Sequence, residues 1–230
     1  MIKKLIRKIF SLNTLPKPQP GCIDKQRIRA LLPPKPVILE AGAADGGDTL
    51  EMSSLFSDGQ IYALEPIPVI YEKLKANVKS CRNVKTFQLG LSDTSGKTLL
   101  NLSTDERNEI LSSSSILKPK EHVNVHPNIL FNQTIEIDTI TIDEFCQQNK
   151  IPVIDFLWLD LQGIEFQTLK ASPKTLKSVK VIHTEVSLIE TYEQTVLYPE
   201  FRDWLIAQGF SVEIEELPFK DMGNVVFVRH

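Results

Sequence analysis

A turn of small residues near residue 40 carries the sharpest chemical signal in the chain. The segment Val37–Asp48 reads VILEAGAADGGD, an apolar run that enters a glycine-rich turn. Gly42 lets backbone N–H groups approach a ligand, and the N-terminus of the helix that follows offers partial positive charge. Glu40 and Asp45 add two carboxylates at the same turn. Because carboxylates repel a phosphate and attract an amino group, the turn predicts a site for a cationic ligand.

A second carboxylate signal comes 23 residues after Gly42, where Glu65 ends the apolar run of IYALEP. An acidic residue at that place accepts hydrogen bonds from both hydroxyls of a ribose. Turn and acid together also fit a nicotinamide dinucleotide, and an oxidoreductase is therefore one alternative. However, Ala44 stands where the dinucleotide fingerprint has its second glycine, the one that lets backbone meet pyrophosphate. A nucleoside without phosphates is the better fit.

The elements that must position these residues alternate between strands and helices after Pro36. The expected strands are Val37–Ala41, Ile61–Leu64, Val84–Leu91, Val153–Leu159, Val179–Val186, Phe210–Glu215 and Asn224–Val228; the expected helices are Asp48–Phe56, Val69–Val78 and Phe201–Gln208. This alternation predicts an α/β fold with an open, mostly parallel seven-stranded sheet and helices on both faces. A short turn joins the last two strands, which predicts a closing antiparallel hairpin. Between about 96 and 142 the alternation breaks down, which indicates a long insertion with two strands of its own.

The charge distribution divides the chain into a basic front and an acidic body. Residues 1–36 hold nine Lys and Arg against one Asp, and residues 37–230 hold 17 bases against 28 acids. An acidic body without a basic stripe argues against nucleic acid as a partner, because phosphate contacts need clustered Lys and Arg. We expect a small-molecule or glycan partner rather than a polyanion, and one domain over residues 37–230. The oligomeric state stays open.

The front segment, residues 1–36, combines a basic amphipathic pattern with a proline-rich linker. Over residues 1–12 the apolar residues Ile2, Leu5, Ile6 and Ile9 share one helical face, opposite a face of Lys and Arg. Such a helix can lie on an anionic membrane surface. A frayed tail is the equal alternative, because twelve residues make a marginal helix in water. With no apolar run long enough to span a membrane, the expected location is cytoplasmic, with peripheral contact at the inner face of the membrane.

Several of these stretches together resemble the FkbM-type family of S-adenosylmethionine-dependent methyltransferases. They are VILEAGAADGGDT, IYALEPIPVIYEKLKANV, QLGLSDTSG, the Ser112–Ser115 run, TIDEF, FLWLDLQGIEFQTLK and VIHTEVS. The first two are general to class I methyltransferases, whereas LSDTSG, TIDEF and DLQGIE in combination are specific to the family. The chain departs from the family at Gln162, where a glutamate is usual.

The resemblance implies S-adenosylmethionine as the cofactor and a class I methyltransferase fold. It places Glu40, Gly42 and Asp45 around the methionine end of the cofactor, with Ala43 and Gly42 allowing close backbone approach. It places Glu65 on the ribose. It also places Leu91, Ser92 and Asp93 beside the adenine. An acidic pocket of this kind stabilises the cationic sulfonium.

The acceptor side is expected at Asp160, His183 and Glu185. Asp160 ends a very apolar strand at the edge where open α/β sheets bind ligands, and His183 and Glu185 point to one face because they are two residues apart. Methyl transfer to a hydroxyl of a small molecule, glycan or glycolipid needs the proton of that hydroxyl removed. A general base or a bound divalent cation can achieve this, and a base without a metal is favoured.

The alternative to an enzyme is a membrane-associated binding protein that keeps the fold without catalysis.

Overall fold

A computed structural model describes residues 21–229 of the chain. Its helices are α1 (Lys25–Arg29), α2 (Gly47–Leu55), α3 (Pro68–Val78), α4 (His122–Val125), α5 (Ile142–Gln148), α6 (Glu165–Lys170), α7 (Pro173–Leu176) and α8 (Tyr198–Ala207). Its strands are β1 (Val37–Ala41), β2 (Gln60–Leu64), β3 (Val84–Phe87), β4 (Gly90–Leu91), β5 (Gly96–Thr104), β6 (Leu130–Ile140), β7 (Phe156–Leu159), β8 (Val181–Ser187), β9 (Phe210–Glu216) and β10 (Met222–Arg229). The amphipathic segment predicted for residues 1–12 lies outside the described residues.

Seven strands form one sheet in the order β3-β2-β1-β7-β8-β10-β9. The first five are parallel, and β10 runs antiparallel to both β8 and β9. Strand β7 is buried along its whole length because helices cover both faces of the sheet. The expected mostly parallel seven-stranded sheet with a closing antiparallel hairpin is therefore confirmed. The closing strand β10 inserts between β8 and β9.

The expected strand over Val84–Leu91 is wrong as a single element. The structure divides it into β3, at the edge of the large sheet, and β4, which joins β5 and β6 in a separate three-stranded sheet. Gly90 lies at this change of sheet, packed so closely that an added Cβ would lie 3.3 Å from Ile137. The predicted insertion, about 96–142, contains β5 and β6 of this small sheet, whereas β4 precedes it.

Helix α1 packs onto the sheet ahead of residue 37, where the sequence places the start of the domain. Ile28 is fully buried and Ile23 nearly so, both in a cluster with Phe156 and Trp158. The Lys25 ammonium bridges two carboxylates of α2 and lies 4.7 Å from the Trp158 ring centre. The folded body therefore includes α1. None of the helices among residues 21–229 is long and apolar enough to cross a membrane.

Candidate active site

The turn after β1 presses directly against the end of β7. Gly42 has φ +79°, and a Cβ at this residue would lie 2.0 Å from the carbonyl oxygen of Asp160. The Asp160 N–H also donates to the Ala41 carbonyl at 3.1 Å. Glycine at position 42 is therefore required on both conformational and steric grounds. This contact holds the Asp160 backbone against the predicted cofactor-binding turn.

Glu65 links the turn after β1 to the segment after β2. Its Oε2 accepts the Ala44 N–H at 3.1 Å, and its Oε1 accepts the Ile67 N–H at 2.8 Å. Ala44 adopts φ +47°, so it fills the left-handed position in which a glycine is usual. Burial raises the pKa of Glu65 to about 7, although the two backbone donors oppose that shift. Each carboxylate oxygen keeps a second lone pair for a ligand hydroxyl.

A cavity of about 400 Å³ opens between the large sheet and the small one. Its floor includes Gly42, Asp45, Glu65 and Asp160, which are four of the residues predicted from the sequence, and Leu91 lies in its wall. The small sheet and the loop after β5 supply a largely apolar roof, with Leu100, Ile110, Leu111, Ile116 and Ile137 beside the hydroxyls of Ser112 and Ser114. The insertion therefore covers the expected site.

Three carboxylates meet beside the part of this cavity that Asp160 lines. Asp160, Glu165 and Glu185 each offer an oxygen, and these oxygens lie within 4.8 Å of one another. Glu165, in the first turn of α6, accepts the Leu161 N–H at 2.7 Å and the Gly163 N–H at 3.0 Å. Both of its oxygens thus hold the turn after β7 in place. Asp160 and Glu185 are therefore the two carboxyl groups of this cluster that can take up or release a proton.

Gln162 lies between that pair, with its amide directed toward both acids. Its Nε2 donates to Asp160 Oδ1 at 2.7 Å and lies 3.5 Å from Glu185 Oε1. Its Oε1 lies 2.9 Å from the Tyr192 hydroxyl, which also lies 2.8 Å from the carbonyl oxygen of Ser113. One amide therefore connects two carboxylates to Tyr192 and, through its hydroxyl, to the loop after β5.

Burial and like charge determine how the two carboxyl groups hold protons. Burial, reinforced by Asp160 and Glu165, raises the pKa of Glu185 well above its usual range. Burial also raises the pKa of Asp160, but there the hydrogen bond from Gln162 acts in the opposite direction. Glu185 is consequently the carboxyl group that carries a proton most readily, and Asp160 is better suited to stay ionised.

His183 lies on the predicted face but deeper in the sheet than Asp160. It pairs in register with Trp158, and the two rings stack with centroids 3.6 Å apart. Burial lowers the pKa of His183 to about 3, so the imidazole is neutral. The structure therefore brings Asp160 and Glu185 together and leaves His183 in the core beside Trp158.

The other predicted cofactor residues lie around the cavity rather than on its surface. Glu40 is buried under α2, where its Oε2 accepts the Thr49 hydroxyl at 2.6 Å and where burial raises its pKa to about 8. Ala43 is buried behind the turn. Ser92 is buried and donates to Asp93, which is exposed. Their predicted contacts with a cofactor stay predictions.

Sequence reasoning missed Glu165 and Tyr192 as parts of the site, and treated Gln162 only as a departure from a family pattern. Glu165 had a local signal, since an acid two residues after Gly163 at a helix start can accept backbone N–H groups. Tyr192 follows the fifth expected strand, where a wall of the acceptor site is expected, but surface packing explains that position equally well, and its partner Gln162 is 30 residues away in the chain.

The sheet order, with β10 inserted antiparallel between β8 and β9, is that of the class I methyltransferase fold. The chain belongs to the FkbM methyltransferase family, whose domain model matches residues 40–212. The predicted enzyme class and its cofactor, S-adenosylmethionine, are thereby confirmed.

Individual relatives agree with this assignment. The chain is 29% identical to the 2-O-methyltransferase NoeI of Sinorhizobium fredii over 74% of this chain and 71% of that protein. It is 26% identical to the methyltransferase sdnD of Sordaria araneosa over 80% of this chain and 76% of that protein. In fold it is similar to the fibrillarin pre-rRNA processing protein of Methanococcus jannaschii, with a TM-score of 0.51 and 16% identity over 85% of this chain and 66% of that one.

The residues of the cavity fit this cofactor. Glu65 is held in place by two backbone donors and still has lone pairs for two ribose hydroxyls. Gly42 lines the cavity, and the absence of a side chain lets its turn lie against the Asp160 carbonyl. Asp45 supplies negative charge suited to the cationic amino group of the cofactor.

Proposed function

We propose that this protein transfers a methyl group from S-adenosylmethionine to a hydroxyl group of a small molecule or glycan, with Asp160 as the general base. The observation that carries this proposal is the position of Asp160, on the cavity surface and against the Gly42 turn. One relative, NoeI, is named a 2-O-methyltransferase, which supports oxygen as the acceptor atom. The acidic body of the chain supports an acceptor other than nucleic acid.

The contacts in the cavity support a separate role for each of these residues. Glu65 would hold the ribose, and the Gly42 turn with Asp45 would hold the methionine end. When bound, S-adenosylmethionine supplies an electrophilic methyl group whose sulfur leaves as a neutral thioether, so the acceptor hydroxyl needs only to lose its proton. The ionised Asp160 carboxylate takes that proton. Ser112 and Ser114 in the roof offer hydroxyl groups to a polar acceptor.

A proton suits the carboxylate cluster better than a divalent cation does. The Gln162 amide directs its N–H groups at Asp160 and Glu185, and two backbone N–H groups occupy Glu165. N–H dipoles that point at these oxygens repel a cation from the same place. We therefore propose a base-driven mechanism in which turnover resists EDTA and gains nothing from added Mg²⁺.

The test of this function is label transfer from S-adenosylmethionine carrying a tritiated methyl group to a panel of hydroxylated small molecules and glycans. With any acceptor that takes the label, Asp160→Asn should lower kcat by about 10²–10⁴-fold and leave cofactor affinity unchanged. Asp58→Asn, at an exposed aspartate beyond the C-terminal end of α2, is the matched control. Turnover of Asp160→Asn close to that of Asp58→Asn would remove Asp160 from the mechanism.

The location we propose is cytoplasmic, with peripheral membrane contact through residues 1–12. The support is the basic amphipathic pattern of that segment.

A non-catalytic binding protein is the alternative to an enzyme. The label-transfer test addresses it, because such a protein would bind the cofactor and transfer nothing.

A further inference from the structure

We propose that Gln162 and Tyr192 are positioning residues that keep Asp160 ionised and directed into the cavity. The inference rests on the proposed function, in which Asp160 takes the proton of the acceptor. Neither residue needs to touch the acceptor in this role. Gln162 acts on Asp160, and Tyr192 acts on Gln162.

The orientation of the Gln162 amide follows from its two neighbours. Its Nε2 lies 2.7 Å from Asp160 Oδ1, and its Oε1 lies 2.9 Å from the Tyr192 hydroxyl oxygen. Reversing the amide would place an amide oxygen 2.7 Å from a carboxylate oxygen, which is repulsive unless the carboxyl is protonated. The tyrosine hydroxyl has one proton and two acceptors within reach, the Gln162 amide oxygen and the Ser113 carbonyl oxygen, and it supports the present orientation through the share of that proton that the amide receives. The ionised carboxylate is therefore the main cause of this orientation.

The surroundings leave this amide little freedom to turn away. Tyr192 is 2% exposed and Gln162 is 8% exposed. The Ser115 hydroxyl donates to the Gln162 carbonyl at 2.7 Å, which ties the roof loop to the same residue. Gln162 has φ +54°, a left-handed conformation that a residue with a side chain adopts only when its contacts compensate for the strain. These contacts hold Gln162, and with it the amide, beside Asp160.

The charged groups facing Asp160 explain why a donor is needed there. Burial is the largest cause that raises the pKa of Asp160. The ionisable side chains that act on it or share its cluster are Tyr192 and four carboxylic acids: Asp48 on α2, Glu65 after β2, Glu165 on α6 and Glu185 on β8. Among residues 21–229, Gln162 is the side chain that donates a hydrogen bond to Asp160. Without the amide, burial and four acids would all favour a proton on Asp160, and a protonated carboxyl cannot act as a base.

Carbon-13 NMR of the full chain, labelled at the aspartate carboxyl carbons, measures this effect without any acceptor. The Asp160 signal is the one that Asp160→Asn removes, and its titration midpoint is read against pH. Gln162→Glu keeps the shape of the side chain but replaces the donor with another acid, and should raise the midpoint by about one pH unit or more, a tenfold change in proton affinity. Tyr192→Phe should raise it less, because the amide remains but loses one of the partners that orient it.

Two further variants keep the outcome decisive. Tyr198→Phe is the matched control, since that buried tyrosine donates to Glu215 away from the cavity, and its midpoint should equal the wild-type value. Gln162→Asn shortens the amide without adding charge, and should also raise the midpoint if Gln162→Glu does not fold. An Asp160 midpoint unchanged in the folded Gln162 variants would overturn the positioning role. The turnover of Asp160→Asn tests the proposed function separately, so failure of one is distinguishable from failure of the other.

Discussion

Replacing Glu65 with Ala should weaken S-adenosylmethionine binding by a predictable amount. The carboxylate is held by the N–H groups of Ala44 and Ile67 and has lone pairs left for two ribose hydroxyls. Two charge-assisted hydrogen bonds, less the cost of desolvating the carboxylate, amount to about 2–4 kcal/mol. That corresponds to a Kd roughly 30- to 1,000-fold higher, measurable by isothermal titration calorimetry.

The same carboxylate predicts how cofactor affinity depends on pH. Burial raises the pKa of Glu65 to about 7 in the cofactor-free protein. Because the ionised form accepts the ribose hydroxyls, affinity should be full above pH 7 and should fall below it, by at most about tenfold per pH unit. This dependence should be absent in Glu65→Ala.

Glu213→Ala, at an exposed glutamate on β9, is the control for both the cofactor affinity and its pH dependence. Circular dichroism must first show that Glu65→Ala is folded, because the substitution also removes the partner of two backbone N–H groups. Wild-type affinity in a folded Glu65→Ala protein would refute the assignment of Glu65 to the ribose.

Three other substitutions test other parts of the molecule. Gly42→Ala should abolish cofactor binding or prevent folding, because its Cβ would lie 2.0 Å from the Asp160 carbonyl oxygen; wild-type affinity by calorimetry would contradict that contact. His183→Phe should keep turnover within a few-fold and change mainly the unfolding temperature, since the ring stacks on Trp158; a loss as large as that of Asp160→Asn would return His183 to the mechanism. A chain beginning at Gly21 should lose the salt-sensitive binding to anionic vesicles that we expect of the full chain, at about 1 kcal/mol per Lys or Arg; equal sedimentation of both would refute membrane contact.

The parts of the site that follow from local pattern were predictable from the sequence. Each of two features is visible within a few residues of sequence: a glycine turn after an apolar run, and an acid at the end of the next strand. Gly42 and Glu65, which these patterns identify, both line the cavity. Strand periodicity also put His183 and Glu185 on one face. Periodicity could not show how far each side chain lies from the ligand-binding edge of the sheet, because that distance depends on the register between β7 and β8. In this register His183 lies beside Trp158 rather than beside Asp160.

The roof and the Gln162–Tyr192 contact depend on long-range packing instead. Tyr192 reaches Ser113 across 79 residues, and no local spacing encodes such a contact. The split of the expected strand over Val84–Leu91 has the same origin, because β4 is defined by its pairing with β6 rather than by its own sequence. Apolar periodicity identifies a strand without naming the sheet that it joins.

A crystal structure with S-adenosylhomocysteine tests the central claim most directly. We predict both ribose hydroxyls within hydrogen-bonding distance of the Glu65 carboxylate, the methionine end against the Gly42 turn, and the sulfur facing the side of the cavity that holds Asp160. A ribose away from Glu65, or a sulfur on the far side of the cavity from Asp160, would contradict the assignment of these two carboxylates to cofactor binding and catalysis.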